Sequence, residues 1–221
     1  MATDAVPAPR TPLSRERVLR AAVELADEHG LRALTMRRLA EELGAEAMSL
    51  YYHVAKKEDV LDGIVDAVAQ EINEAVANIS APGWKAAVRQ RILAAREVFL
   101  RHRWAPALFE TRSSTSLAVL RYYDALVGLM RAGGFSYDLV HHSLHALGSR
   151  ALGFNQELFD PSESGDSTPA DLAGQLPNLV GMLSEIAHDD PDSTLGWCDD
   201  QEEFEFGLDL ILDGLDRLLE T

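Results

Sequence analysis

The chain is poor in the residues that staple or span. It has one cysteine, Cys198, among 221 residues. A single thiol closes no internal disulfide and builds no cysteine metal cluster, so it reads as a free thiol in a reducing compartment. No run of about 18 uninterrupted apolar residues occurs, which argues against a membrane-spanning helix. Residues 1–12 lack the apolar segment of a secretory signal, and Pro7, Pro9 and Pro12 among small residues predict a mobile arm. A cytoplasmic protein is expected. Basic residues are also scarce. The 20 Lys and Arg against 36 Asp and Glu give a formal charge of −16, which as a single figure argues against a nucleic-acid partner. The distribution matters more. Residues 1–60 hold nine basic and ten acidic residues, whereas residues 157–221 hold Arg217 alone among eighteen acids. Repulsion from the distant acidic end fades beyond a Debye length of about 8 Å, so a local basic contact surface near the N-terminus is compatible with the total.

What is abundant is apolar and helix-forming: 47% of the residues are hydrophobic and only 7% aromatic. That supports a sizeable core, in one large domain or one small and one medium domain. Val18, Leu19, Ala22, Leu25 and Ala26 recur at helical spacing, with Ser14 as cap, Leu13 and Val18 as staple and Gly30 as stop. Thr35 caps a short helix over 36–43, Gly44 ends it, and a second short helix follows near 47–53. A long helix over about 57–78 would span roughly 33 Å, enough to link two domains. Further helices are expected near 84–102, 106–111, 115–132, 136–158, 170–188 (disturbed at Pro177) and 201–219, with loops at 160–169 and 189–200. The fold class is all-α.

The segment from Thr35 to Val54 carries the chemistry. Two short helices crossing steeply need a small residue at the contact, supplied by Ala40, and a turn residue that tolerates positive φ, supplied by Gly44. Leu39, Leu43 and Leu50 fit beneath. In a helix-turn-helix so built, the second helix would enter a DNA major groove. Ser49 and His53 can bond base edges or phosphates, and Tyr51 and Tyr52 offer a flat face and a hydroxyl. Arg37 and Lys57 suit phosphate, and Ala47 and Met48 suit a thymine methyl. Spacing alone leaves open a plain helical hairpin with partly buried tyrosines.

Residues 18–63 resemble the DNA-binding domain of the TetR family, through Leu34-Thr35, Arg37, Leu39-Ala40, Leu43-Gly44, Ser49-Leu50-Tyr51, His53-Val54, Lys57 and Leu61-Asp62. The resemblance implies a dimer on a palindromic double-stranded operator, with DNA contacts from Thr35, Arg37, Ala47, Met48, Ser49, Tyr51, Tyr52, His53 and Lys57. Met48 and Ala47 stand where the tetracycline repressor has proline and glutamine, so no operator sequence carries over. The implied organisation is an arm at 1–12, a three-helix helix-turn-helix domain at 13–60, and a helical effector-binding and dimerisation domain at 61–221.

Beyond that segment the chain is similar to the tetracycline-repressor class through Gly83-Trp84, His102-Arg103, Thr111-Arg112, Leu152-Gly153 and Glu157. The implied ligand positions are Asn73, Arg91, Ala95, Phe109, Thr111, Arg112 and Glu157. The class's drug-contacting asparagine falls on Arg91, its phenylalanine on Ala95, and its metal-binding histidine on or near Phe109, which cannot ligate Mg²⁺. A different small hydrophobic effector is expected, with no metal or cofactor. Tyr122, Tyr123, Trp104 and Met130 read as core more readily than as pocket. The last helix shows an apolar stripe of Phe204, Leu208, Ile211, Leu215 and Leu218, broadened by Leu212 and Leu219. Gly207 and Gly214 on it permit close helix approach. With the small-residue helix near 136–158 it would build a four-helix homodimer interface; the alternative is a monomeric core. His141, His142 and His145 are expected in the core or a pocket, because no full ligand set accompanies them. The functional expectation is a repressor, not an enzyme, released by a small effector. The alternatives are an activator or effector-independent regulator, or a helical-bundle metal enzyme.

Overall fold

The computed structural model describes residues 12–112, 116–153, 174–185 and 200–220. The expected arm up to residue 11, the loop at 160–169, all of the loop at 189–200 but its last residue, Cys198 and Glu157 fall outside these residues. The described residues form helices and no strand: α1 (Arg15–His29), a 3₁₀ turn (Leu31–Ala33), α2 (Met36–Glu42), α3 (Ala47–Leu50), α4 (Lys57–Val76), α5 (Gly83–Arg101), α6 (Ala105–Thr111), α7 (Leu117–Ala132), α8 (Tyr137–Gly153), α9 (Pro177–Glu185) and α10 (Asp200–Leu219). They divide into two compact units, Met1–Gly133 and Gly134–Thr221.

Local chemistry sets the ends of the first helices. Ser14 Oγ accepts from Arg17 N at 3.2 Å, and Leu13 packs onto the core as the staple requires. Gly30 ends α1 at φ 74°, donating its N–H to Ala26 O at 2.8 Å. Thr35 Oγ1 accepts from Arg38 N at 3.2 Å and starts α2. Gly44, at φ 60°, ends it in a Schellman motif: Ala45 N donates to Ala40 O at 2.9 Å and Gly44 N to Glu41 O at 3.1 Å. Helix α3 is shorter than the expected 47–53. After Leu50 the bonds tighten, with Tyr52 N donating to Ser49 O and His53 N to Leu50 O, so residues 51–53 form turns.

In the first unit one core runs from the helix-turn-helix into the helices that follow. Val18, Ala22, Leu39, Leu50, Val60, Ile64 and Val68 share it with Ala95, Val98, Trp104 and Leu108. Helix α4 is central, packing on α1, α5, α6 and α7. It meets α1 closely at Gly63, where an added Cβ would lie 2.5 Å from Leu19 Cδ2. No helix among the described residues is long and apolar enough to cross a membrane.

In the second unit α8 packs on α10. The buried stripe of α10 is Phe204, Leu208, Leu212 and Leu215. The expected stripe differs: Ile211 is only half-buried and Leu218 is exposed, because α8 takes the 204/208/212/215 face. Gly207 admits the Arg150 guanidinium. Its added Cβ would lie 2.7 Å from Arg150 Cζ, and Arg150 donates to the carbonyls of Glu203 and Phe204. Nothing crowds Gly214. Pro177 opens α9 at its first position, where its missing N–H is harmless.

Candidate DNA interface and effector region

The helix-turn-helix is a buried platform carrying an open face. Leu39, Ala40 and Leu50 lie under it, and α3 rests on Leu50. Tyr52 is 90% exposed and Met48 71%, and Tyr51 is also open. Open side chains of this size, fixed on a packed support, suit contact with a partner. Ser49 is half-buried and its Oγ donates to Glu46 O at 2.6 Å, leaving the oxygen's lone pairs. His53 and Lys57 are half-buried. Ala47 is half-buried too, and its methyl packs on the core. Arg37 is open and pairs with Glu41 at 3.0 Å, an exposed i,i+4 bridge worth little and readily exchanged for phosphate. Thr35 is exposed beside it, its hydroxyl engaged as the α2 cap.

Lys56, not counted among the contact residues from sequence, is exposed at the N-cap of α4, next to Lys57. Asp59 fixes this entry by accepting from Ala55 N at 3.0 Å. The doubled Lys56-Lys57 was the available signal.

Of the expected ligand residues, six are described, all in the first unit. Asn73 donates its amide to Ala69 O at 2.9 Å and Ala118 O at 2.8 Å, tying α4 to α7. Arg112 is committed to Asp62 of α4, with Nε to Oδ1 at 2.7 Å. Thr111 is exposed and donates to Ala107 O at 3.0 Å. Phe109 packs edge-on against Phe99, centroids 5.5 Å apart. Ala95 is buried. Arg91 is half-buried, and its Nε is buried without a hydrogen-bond partner among the described residues. Tyr122 donates its hydroxyl to Arg91 O at 3.3 Å, and burial pushes that phenol far above its ordinary range. Tyr122 and Met130 sit inside the unit, while Tyr123 is partly open.

A second constellation was not anticipated. His102, at the end of α5, is 8% exposed. Its Nδ1 lies 2.8 Å from Asp27 of α1 and its Nε2 2.9 Å from Glu71 of α4. Trp104 Nε1 donates to the same Asp27 at 2.6 Å, and Arg101 donates to Glu71. Both imidazole nitrogens face carboxylates, so the ring ties α1 to α4. Burial raises the Glu71 carboxyl, but the hydrogen bonds and charges of Arg101 and His102 outweigh it and hold Glu71 below its ordinary value. This cluster joins α1, α4 and the α5–α6 corner.

The histidines of α8 are a correction. His141, His142 and His145 are exposed rather than in a core or pocket, since Val140, Ser143 and Leu147 take the inward face. The rings of His141 and His145 stand edge-on, 4.7 Å apart. Among the described residues no group of three His, Cys, Asp or Glu is placed to hold a metal ion.

A short two-helix module with an open second helix, sharing its core with a helical domain through a long central helix, defines a one-component helix-turn-helix regulator. Residues 18–64 match the family described as bacterial regulatory proteins, tetR family, and residues 80–219 match the tetracyclin repressor-like C-terminal domain. The chain therefore belongs to the TetR family of DNA-binding transcriptional regulators. It is 40% identical over 123 residues to an HTH-type transcriptional regulator of Saccharopolyspora erythraea, covering 56% of this chain and 51% of that one. It thus spans about half the length of that relative. It is 29% identical over 219 residues to the HTH-type transcriptional repressor DrrR1 of Streptomyces coeruleorubidus, covering 96% and 80% of the two chains. The crystal structure of the Streptomyces coelicolor TetR family protein ActR in complex with actinorhodin superimposes with a TM-score of 0.71 at 28% identity, covering 96% of this chain and 100% of that one.

Proposed function

We propose that the chain is a cytoplasmic, homodimeric repressor that leaves a palindromic operator when a small hydrophobic effector binds its middle helices. Residues 13–60 read DNA, and residues 61–221 hold the effector and the dimer interface. The carrying observation is the open pair Met48 and Tyr52 on a capped, buried platform. Met48, Ser49, Tyr51, Tyr52 and His53 face the groove. Thr35, Arg37, Lys56 and Lys57 take phosphate, and Ala47 lies at the edge of the contact. DrrR1 is a repressor and ActR holds actinorhodin, which supports a repressor with a small-molecule effector here.

Release needs a conformation that binds effector better and in which the two reading helices no longer match major grooves roughly 34–36 Å apart. Asn73 ties α4 to α7, and Arg112 ties α6 to α4 at Asp62, one residue before the close approach of Gly63 to Leu19. An effector that shifts α5 to α7 therefore moves α4, and with it α1. Coupling of about 1–3 kcal/mol changes operator affinity roughly 5- to 150-fold. The test is a gel shift on the DNA upstream of the protein's own gene, titrated with salt. Tyr52→Ala and Lys57→Ala are expected to weaken binding at least tenfold. Wild-type affinity in both variants contradicts the assigned contacts.

A further inference from the structure

We propose that the effector is an organic acid, and that Arg91 takes its anionic oxygen where α5 meets α7. This deepens the proposed function and rests on it for the regulatory consequence, though not for the binding itself.

The Nε–H of Arg91 is sealed from water and has no acceptor among the described residues. Arginine stays charged in proteins and presents its donors as a rigid fork, so an uncompensated buried N–H on it is expensive. Tyr122 reaches the carbonyl of Arg91 rather than its guanidinium, and burial keeps that phenol protonated, so it carries no charge to offset the cation. Asn73 spends both amide hydrogens on Ala69 and Ala118. One turn beyond Arg91, on the same side of α5, Ala95 offers only a methyl, and side chains on a helix lean toward the preceding turn. The site therefore presents a buried, unpartnered cationic N–H one turn from a small residue, with a neutral phenol bonded to the same residue's carbonyl. A carboxylate or ionised phenol on an aromatic body satisfies it: the acid oxygen accepts from Nε, and the ring lies against Ala95 and Tyr122. A neutral effector leaves the donor orphaned.

The probe is 2-naphthoate, compared with its methyl ester at millimolar concentration, on the full-length protein and on Arg91→Met and Arg91→Lys. Methionine keeps the packing of the arginine stem and removes the donor. In the wild type the acid is expected to bind roughly 10- to 100-fold tighter than the ester by calorimetry, the range of a charge-assisted hydrogen bond, and to raise the melting temperature. Without ligand, Arg91→Met is expected to melt at or above the wild-type temperature, because an unpaired donor has gone. It binds acid and ester equally, while Arg91→Lys keeps a reduced preference for the acid. Equal binding of acid and ester to wild type, or binding of neither, overturns the proposal. So does an Arg91→Met protein that melts several degrees lower and keeps its acid preference, since the guanidinium is then structural. Operator gel shifts run in parallel separate the two readings. Wild type that ignores DNA yet prefers the acid refutes the repressor assignment alone, and wild type that binds DNA yet shows no acid preference refutes this one alone.

Discussion

His102 concentrates three demands on one side chain. It is buried, it faces a carboxylate at each nitrogen, and its partners come from different helices. Removing it leaves Asp27 with Trp104 as its remaining partner and takes one donor from Glu71. His102→Ala should cost about 3 kcal/mol, the scale for breaking a buried pair by deleting one member, read as a lower midpoint in urea. It should also shrink the difference in operator affinity between effector-free and effector-bound protein, which a purely local loss of stability would leave intact. Glu71 gives a pH signature. Its folded-state pKa lies below the ordinary 4.5, so its stabilisation is complete above about pH 4.5 and is lost as pH falls through the lower folded value. Glu71→Gln should therefore flatten the fall in melting temperature below that pH. An unchanged acid limb means that the pairing with Arg101 and His102 contributes nothing.

At the scale of elements, what was legible in the sequence was what local chemistry decides. Ser14, Gly30, Thr35 and Gly44 act within four residues of themselves, and each does what its side chain or lack of one dictates. What was not legible depends on partners far along the chain. Asp27 and His102 are 75 positions apart, and nothing near either announces the other. The wide apolar stripe of α10 offered two overlapping faces, and only the presence of α8 selects Phe204, Leu208, Leu212 and Leu215 over Ile211 and Leu218. The α8 histidines failed for the same reason. Their spacing defined a face without saying which way it turned. Of the ligand residues, Asn73 and Arg112 proved to be ties between helices, a role that residue type alone does not reveal. Gly63 tests the element packing directly. A methyl there meets Leu19 at 2.5 Å, and Leu19 is itself held in the core. Gly63→Ala should cost about 1–3 kcal/mol in thermal unfolding and weaken operator binding, because α1 must move off α4. Gly128→Ala, also inside a helix but with nothing within 4 Å, is the control: it should leave operator binding unchanged and melt at or slightly above the wild type.

For the whole molecule, charge and assembly pull on the same equilibrium. With a formal charge of −16, the chain has little long-range attraction for DNA, so affinity must come from short-range phosphate contacts, which the proposed dimer counts twice, once per protomer. Helix α10 has a second apolar face that its own unit leaves open, with Phe206 63% and Leu210 58% exposed, and α8 adds the exposed Ala146 nearby in sequence to the exposed histidines. Exposed side chains of that size on a helix already packed on its other face are the natural contact for a second copy. Replacing both, Phe206→Gln with Leu210→Gln, changes no charge and removes nothing from the buried stripe. The double variant should therefore keep the wild-type melting temperature of the protomer while sedimenting as a monomer. Losing one reading helix of two halves the phosphates contacted. The slope of log affinity against log salt should then fall to about half, since each phosphate contributes roughly 0.9 to it. A variant that remains dimeric with an unchanged slope shows that the copies join elsewhere. A monomer with the full slope shows that one helix-turn-helix already makes every phosphate contact.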